Sequence, residues 1–205
     1  FQKRRVCAMV RPRAENYEER RGEILDKAAA MFAERGFDAT SMSSIASGLG
    51  VSKALVYHYF QSKEELLYQM LHSHCLLLVE TAAKAVQSSQ KADQQLESLV
   101  LELMRLYMSS RDKHVVLMNS LKALSPEQQK EIKALEREIV AHIKTLVQLL
   151  RPGLNESEVT SLAMYLMGSI NWTYTWFKVS GSISPDKYAE MAAQLFLNGL
   201  KGAAL

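Results

Sequence analysis

The chain is poor in the residues that interrupt helices. It holds 9 Gly and 4 Pro among 205 residues, too few turn formers for a many-stranded sandwich or barrel. Its 2 Cys, Cys7 and Cys75, make no disulfide framework for a chain of this length, and a reducing cytoplasm is the expected location. No apolar run reaches the roughly 18–20 residues of a membrane span, so no membrane partner is expected. The opening FQKRRVCAMV is basic and lacks the apolar stretch of a signal peptide. Because the first Met is Met9, either residues precede Phe1 or translation begins at Met9.

Reactive constellations are scarce too. There is no Gly-rich phosphate loop, nucleophile elbow or paired-carboxylate motif, which argues against an enzyme. His72, His74 and Cys75 come nearest to a metal set. His72 and Cys75 share a helix face at i, i+3, while His74 points elsewhere. Nothing completes a ligand shell, so neither metal nor cofactor is expected.

What is present is material for helices. Apolar residues make up 48% and charged residues 23%, enough for a core and too apolar for global disorder. Ala, Leu, Glu, Lys, Gln and Met dominate, all good helix formers. Ile24, Ala28, Met31 and Phe32 recur at helical spacing and predict a first helix over Tyr17–Arg35, stopped by Gly36. Thr40 or Ser41 caps a short helix carrying Ile45, Ala46 and Leu49, which Gly50 ends. Ser52 caps a second short helix, Lys53–Tyr59, and Ser62 with Glu65 makes a capping box for a long one from Lys63 to Gln87. Further helices are expected over Asp93–Ser110, from the RDKH run, over Pro126–Leu150, over Glu156–Val179 and over Pro185–Leu200. About nine helices and no strand follow, an all-α fold.

The net charge is only +3, but it is unevenly spread. Lys3, Arg4, Arg5, Arg11 and Arg13 stand in an N-terminal stretch without an acid, and no acid occurs between Asp38 and Glu64. A local cationic excess of this kind serves a polyanion. Inside the second stretch, IASGLGVSKALVYHYF has the layout of a helix-turn-helix. Ile45, Ala46, Leu49, Val51 and Val56 face inward, with Gly48 and Gly50 around the turn. Ser52, Lys53, Ala54, Leu55, Tyr57 and His58 are left on the outer side, while Tyr59 and Phe60 read as core. A small, basic and aromatic face without carboxylates suits the major groove of DNA.

The run TSMSSIASGLGVSKALVYHYFQSKEELL resembles the DNA-binding domain of the TetR family of bacterial one-component regulators. The likeness is specific over about residues 20–70 and looser over the remaining helices. It implies a flexible basic arm over 1–16, a three-helix DNA-binding domain over 17–65 and a helical effector-binding and dimerisation domain over 66–205. Thr40, Ser41 and Ser43 would then touch phosphates at a helix N-terminus. Ser52, Lys53, Ala54, Leu55, Tyr57 and His58 would lie on the recognition helix, and Lys63 on the phosphate beyond it. The commonest family pattern has Gly or Pro followed by Thr where this chain has Ala54 and Leu55, which leaves the base preference open.

The same resemblance implies a ligand pocket and a two-fold dimer in the remainder. Tyr188, Met191, Ala192, Leu195, Phe196 and Leu200, with Leu162, Leu166, Ile170, Thr173 and Phe177, form stripes suited to a four-helix bundle between subunits. Such a dimer sets its recognition helices roughly 34–36 Å apart on a palindromic operator. Met104, Tyr107, Met118, Asn119, Met167, Asn171, Trp172 and Trp176 are the expected ligand contacts, polar or adaptable residues within apolar runs. INWTYTWFKVSGSISPDKYAEMAAQLFLNGL is similar to the C-terminal part of a TetR subgroup that senses acyl-CoA thioesters. An acyl group would fill the Met and aromatic tunnel, with Arg105, Arg111 or Lys178 meeting the CoA phosphates. The expected function is a homodimeric regulator of double-stranded operator DNA, a repressor released by a small hydrophobic effector. The alternative is a helical adaptor for other proteins that does not bind DNA.

Overall fold

Helix ends fall where the sequence supplies caps, and those caps set the element order. In a computed structural model of the chain, residues 4–87 and 91–202 are described, with side chains of the first helix from Asn16 onward. The elements are α1 (Arg4–Arg35), α2 (Met42–Leu49), α3 (Lys53–Tyr59), α4 (Lys63–Val86), α5 (Ala92–Ser109) and α6 (Arg111–Ser120). After a 3-10 turn at Leu121–Ala123 come α7 (Pro126–Leu150), α8 (Glu156–Asn171), α9 (Thr173–Trp176) and α10 (Pro185–Gly202). No strand occurs among the described residues, and no helix there is long and apolar enough to cross a membrane.

Ser41, Ser52, Ser62, Ser125 and Asn155 each accept a backbone N–H at a helix start, satisfying donors that have no partner within the helix. Between Thr40 and Ser41, the structure selects Ser41. Its Oγ accepts from the Ser44 N–H at 3.0 Å, and the Ser44 Oγ accepts from the Ser41 N–H at 3.0 Å. The expected box at Ser62 is displaced by one residue. Glu65 reaches back to the Gln61 N–H at 2.7 Å, while its own N–H donates to the Ser62 Oγ at 3.0 Å.

Two boundaries differ from expectation. The backbone of α1 begins at Arg4 rather than Tyr17, so the predicted basic arm continues the helix; its side chains lie outside the described residues. The single helix expected over 156–179 is interrupted after Asn171. Three hydroxyls bond back to carbonyls around the break. Ser169 Oγ donates to the Leu166 carbonyl at 2.7 Å, the buried Thr173 Oγ to Ile170 at 2.6 Å, and Thr175 Oγ to Trp172 at 2.8 Å. Such back-bonding competes with the backbone ladder.

The core is continuous from α1 to α10. α4 lies at its centre, packed against α5, α6 and α7; α10 covers α5, and α8 packs on α7. α6 sits between α1 and α4, and Lys113 on α6 pairs with Asp26 on α1 at 2.7 Å. The turn between α2 and α3 depends on Gly50, whose φ of 67° lies in the left-handed region. A side chain there costs about 1–2 kcal/mol. Gly22 lies inside α1 with open space where a Cβ would stand. Gly50→Ala should therefore destabilise by about 1–2 kcal/mol, and Gly22→Ala should stabilise by roughly 0.5–1 kcal/mol, both read from chemical denaturation.

Candidate nucleic-acid face and ligand cavity

Aromatic contacts and one loop fix the outer face of α3. Tyr17 on α1 stacks on Tyr59 with ring centroids 4.6 Å apart and meets the edge of His58 at 6.4 Å. Phe60 is fully buried beneath them. Against this support, Ser52, Lys53, Ala54, Tyr57 and His58 are exposed and Leu55 is half-exposed. The Lys53 ammonium lies 5.5 Å from the centroid of the Tyr57 ring, a cation–π contact that holds a charge outward on the helix surface. Ser43 is exposed beside the α2 start, where Ser41 is engaged as cap. No carboxylate stands between Asp38 and Glu64, so neither α2 nor α3 carries a negative side chain.

A cavity of about 1130 Å³ opens between α4, α6, α7 and α8, with Tyr107 of α5 on its wall. Leu78, Leu117, Ile139, Val159 and Met167 supply buried apolar lining. Lys133 and Arg137 are exposed at its mouth, and the half-buried Lys144 pairs there with Glu156. Two polar groups lie at the inner end. His114 is 2% exposed and neither ring nitrogen has a partner; the Asn171 Oδ1 is likewise buried and unpaired. Tyr107 stacks on His114 with centroids 3.8 Å apart and planes 19° from parallel. Burial pushes the Glu136 carboxyl up, against the pull of Lys133 and Arg137.

The N-terminal unit matches the family model described as bacterial regulatory proteins, tetR family, over residues 24–70. Residues 89–200 match the tetracyclin repressor-like C-terminal domain. The chain belongs to the TetR family. Among solved structures, a TetR-family regulator from Bordetella parapertussis 12822 is 39% identical, with 92% of this chain and 100% of that one covered and a TM-score of 0.86. The repressor KstR2 of Mycobacterium tuberculosis is 25% identical over 88% of this chain and 92% of its own length. AibR, solved in complex with isovaleryl coenzyme A and operator DNA, is 25% identical, with 87% and 98% covered and a TM-score of 0.76.

Within this TetR-family frame, the predicted DNA contacts separate into two groups. Ser41, Ser43, Ser52, Lys53, Ala54, Leu55, Tyr57 and His58 share the α2–α3 surface. Thr40 does not: it is buried, and its Oγ lies 2.9 Å from the Gly36 carbonyl and 3.3 Å from that of Met31, donating inward. Lys63 is half-buried, donates to the Phe37 carbonyl at 2.8 Å and lies 4.1 Å from the Phe37 ring centroid. Both residues anchor the loop after α1 in this structure.

The predicted ligand set divides as well. Tyr107, Met118, Met167 and Asn171 line the cavity. Met104 is buried elsewhere, its Sδ 3.9 Å from the Thr173 hydroxyl. Asn119 is exposed and donates to the Val115 carbonyl. Trp172 and Trp176 are exposed on the outside, in phase with the exposed Ser161, Tyr165 and Gly168 of α8. The expected phosphate cations are displaced too. Arg105 is held by Asp186 and Glu102, Arg111 donates to the Tyr174 carbonyl, and Lys178 lies outside the cavity lining. His114, Lys133, Arg137 and Lys144 were missed. His114 falls four residues before Met118 on one face of α6, a usable signal, whereas the α7 cations read as an ordinary solvated stripe.

Burial holds both inner imidazoles neutral, lowering His74 to about 4 and His114 to about 3 from an ordinary 6.5. Lys113 adds to the effect on His74, and His74 to that on His114. The unfolded chain takes up these protons at about 6.5 and the folded chain does not. Their contribution is therefore full above 6.5 and is lost as pH falls toward 4 and 3, by roughly 1.4 kcal/mol per pH unit for each group. Denaturation midpoints should drop between about pH 7 and pH 5, and His114→Phe should flatten that slope.

Proposed function

We propose that the chain is a dimeric repressor whose α2–α3 face grips an operator and whose cavity takes an acyl-CoA effector. The observation that carries this reading is one helix, α6, standing between the two sites. It presents His114 to the cavity and Lys113 to Asp26 of α1. Apolar walls suit an acyl group, and Lys133, Arg137 and Lys144 at the mouth suit CoA phosphates. The likeness to AibR, solved with isovaleryl coenzyme A and operator DNA, supports the same effector class.

A second copy would cover α8 and α10. The stripe expected to do so is largely spent inside: Leu166, Ile170, Thr173, Phe177, Phe196 and Leu200 are buried in their own core. Leu195 of that stripe (72% exposed), with Tyr165 (69%) and Trp172 (62%), presents an apolar surface there, suited to a four-helix interface. Binding of effector would move α6 against α1 and misplace the two recognition helices. A tenfold loss of operator affinity requires only about 1.4 kcal/mol of coupling.

The test is fluorescence anisotropy on duplex DNA flanking the gene, at two salt concentrations, with and without a panel of acyl-CoAs. Tight binding should weaken with salt, with a slope of roughly −0.9 per phosphate contact, and one thioester should release it. Lys53→Ala should weaken operator binding about tenfold and lower the salt slope by about 1, with the dimer unchanged by sedimentation. Binding that no thioester disturbs would retain the DNA-binding regulator and remove acyl-CoA. No binding at low salt would overturn the DNA reading.

A further inference from the structure

We propose that His114 and Asn171 form a neutral hydrogen-bonding floor that selects effectors bearing a hydroxyl on their buried portion. This rests on the cavity being the effector site. Four independent helices build the floor. α6 contributes His114 and α8 contributes Asn171, while α5 supplies Tyr107 stacked on the imidazole and α4 brings His74 to 6.0 Å from it, ring centroid to ring centroid. Stacking on Tyr107 fixes the plane of the His114 ring, and the donor and acceptor of the imidazole lie in that plane.

A buried polar group without a partner is costly, and native interiors rarely keep one. His114 offers one N–H and one bare nitrogen in its neutral form, and the Asn171 Oδ1 offers an acceptor. None of these three has a partner on the protein. A saturated acyl chain in the cavity leaves them unpaired. A carbonyl satisfies the imidazole N–H alone. A hydroxyl both accepts and donates, so of these groups it alone has the chemistry to serve the imidazole N–H and the Asn171 Oδ1 together. An ionised group is disfavoured at this depth, because burial keeps His114 uncharged and the cations Lys133 and Arg137 are exposed at the mouth. The cavity therefore sorts chemistry by depth: an anionic head outside, an apolar body, and one neutral hydroxyl against the floor.

Calorimetry with hexanoyl-CoA and its 3-hydroxy, 5-hydroxy and 6-hydroxy isomers tests this, each probe run also as the free acid. One hydroxy isomer should bind the wild-type chain at least about tenfold more tightly than the unsubstituted probe. His114→Phe should erase that preference, read as the ratio of hydroxylated to unsubstituted affinity within the variant. Asn171→Leu, at the half-buried end of α8, is the second variant and should do the same should the first fold poorly. Equal affinity for all probes overturns the floor, as does a preference that survives both substitutions, or no binding in either series. Operator release is read in parallel and separates the two readings. A hydroxyl preference without operator release keeps the floor and overturns the repressor reading; equal release by all thioesters keeps the repressor and overturns the floor.

Discussion

Hydrophobic burial of α4 is the constraint on which the rest of the molecule depends. Leu66, Leu67, Met70, Leu71, Cys75, Leu78 and Ala82 are all buried along it, so α4 contacts α5, α6 and α7 from the middle of the core. Each of the Leu and Met side chains contributes on the order of 1.5–3 kcal/mol on removal from water. Its first two turns belong to the N-terminal unit, where Lys63 holds the Phe37 carbonyl and Arg21 of α1 donates to Gln69 at 3.0 Å. The middle of the same helix supplies Leu78 to the cavity. Without that buried rod, neither site would have a fixed position relative to the other.

α6 is the second shared part, and its sequence shows why. Adjacent residues on a helix point about 100° apart, which lets Lys113 meet α1 while His114 meets the cavity. The ion pair to Asp26 is exposed on the carboxylate side, and pairs of this kind contribute little on their own. The firmer tie is apolar, since Val116 and Leu117 are buried on the same helix. A short element held from two sides by weak polar ties and strong packing has few ways to move, which favours discrete positions over gradual ones.

Most of the fold was legible because its punctuation is chemical. Gly36 and Gly50 take positive φ where helices were expected to stop, and serines start helices where serines were expected to cap. The break after Asn171 was not legible, because no Gly or Pro stands at it. The site was legible only in part. Tyr107, Met118, Met167 and Asn171 are odd residues in apolar runs, and that oddness marked them. Trp172 and Trp176 looked alike and lie outside, on the helical face that Tyr165 and Gly168 already expose. Lys133 and Arg137 carried no mark at all; only the packing of α7 against α8 shows that their stripe borders a cavity.

The cap of α2 has a further consequence. At α8 the returning group is the carboxylate of Glu158, which accepts from the Asn155 N–H at 2.7 Å, and at α4 it is the carboxylate of Glu65. At α2 it is the hydroxyl of Ser44. A carboxylate in that place would strengthen the cap, yet it would set a negative charge at the edge of the acid-free surface and would let go on protonation. The hydroxyl pair does neither. The start of α2 is thus held by groups that no accessible pH titrates and that no polyanion repels.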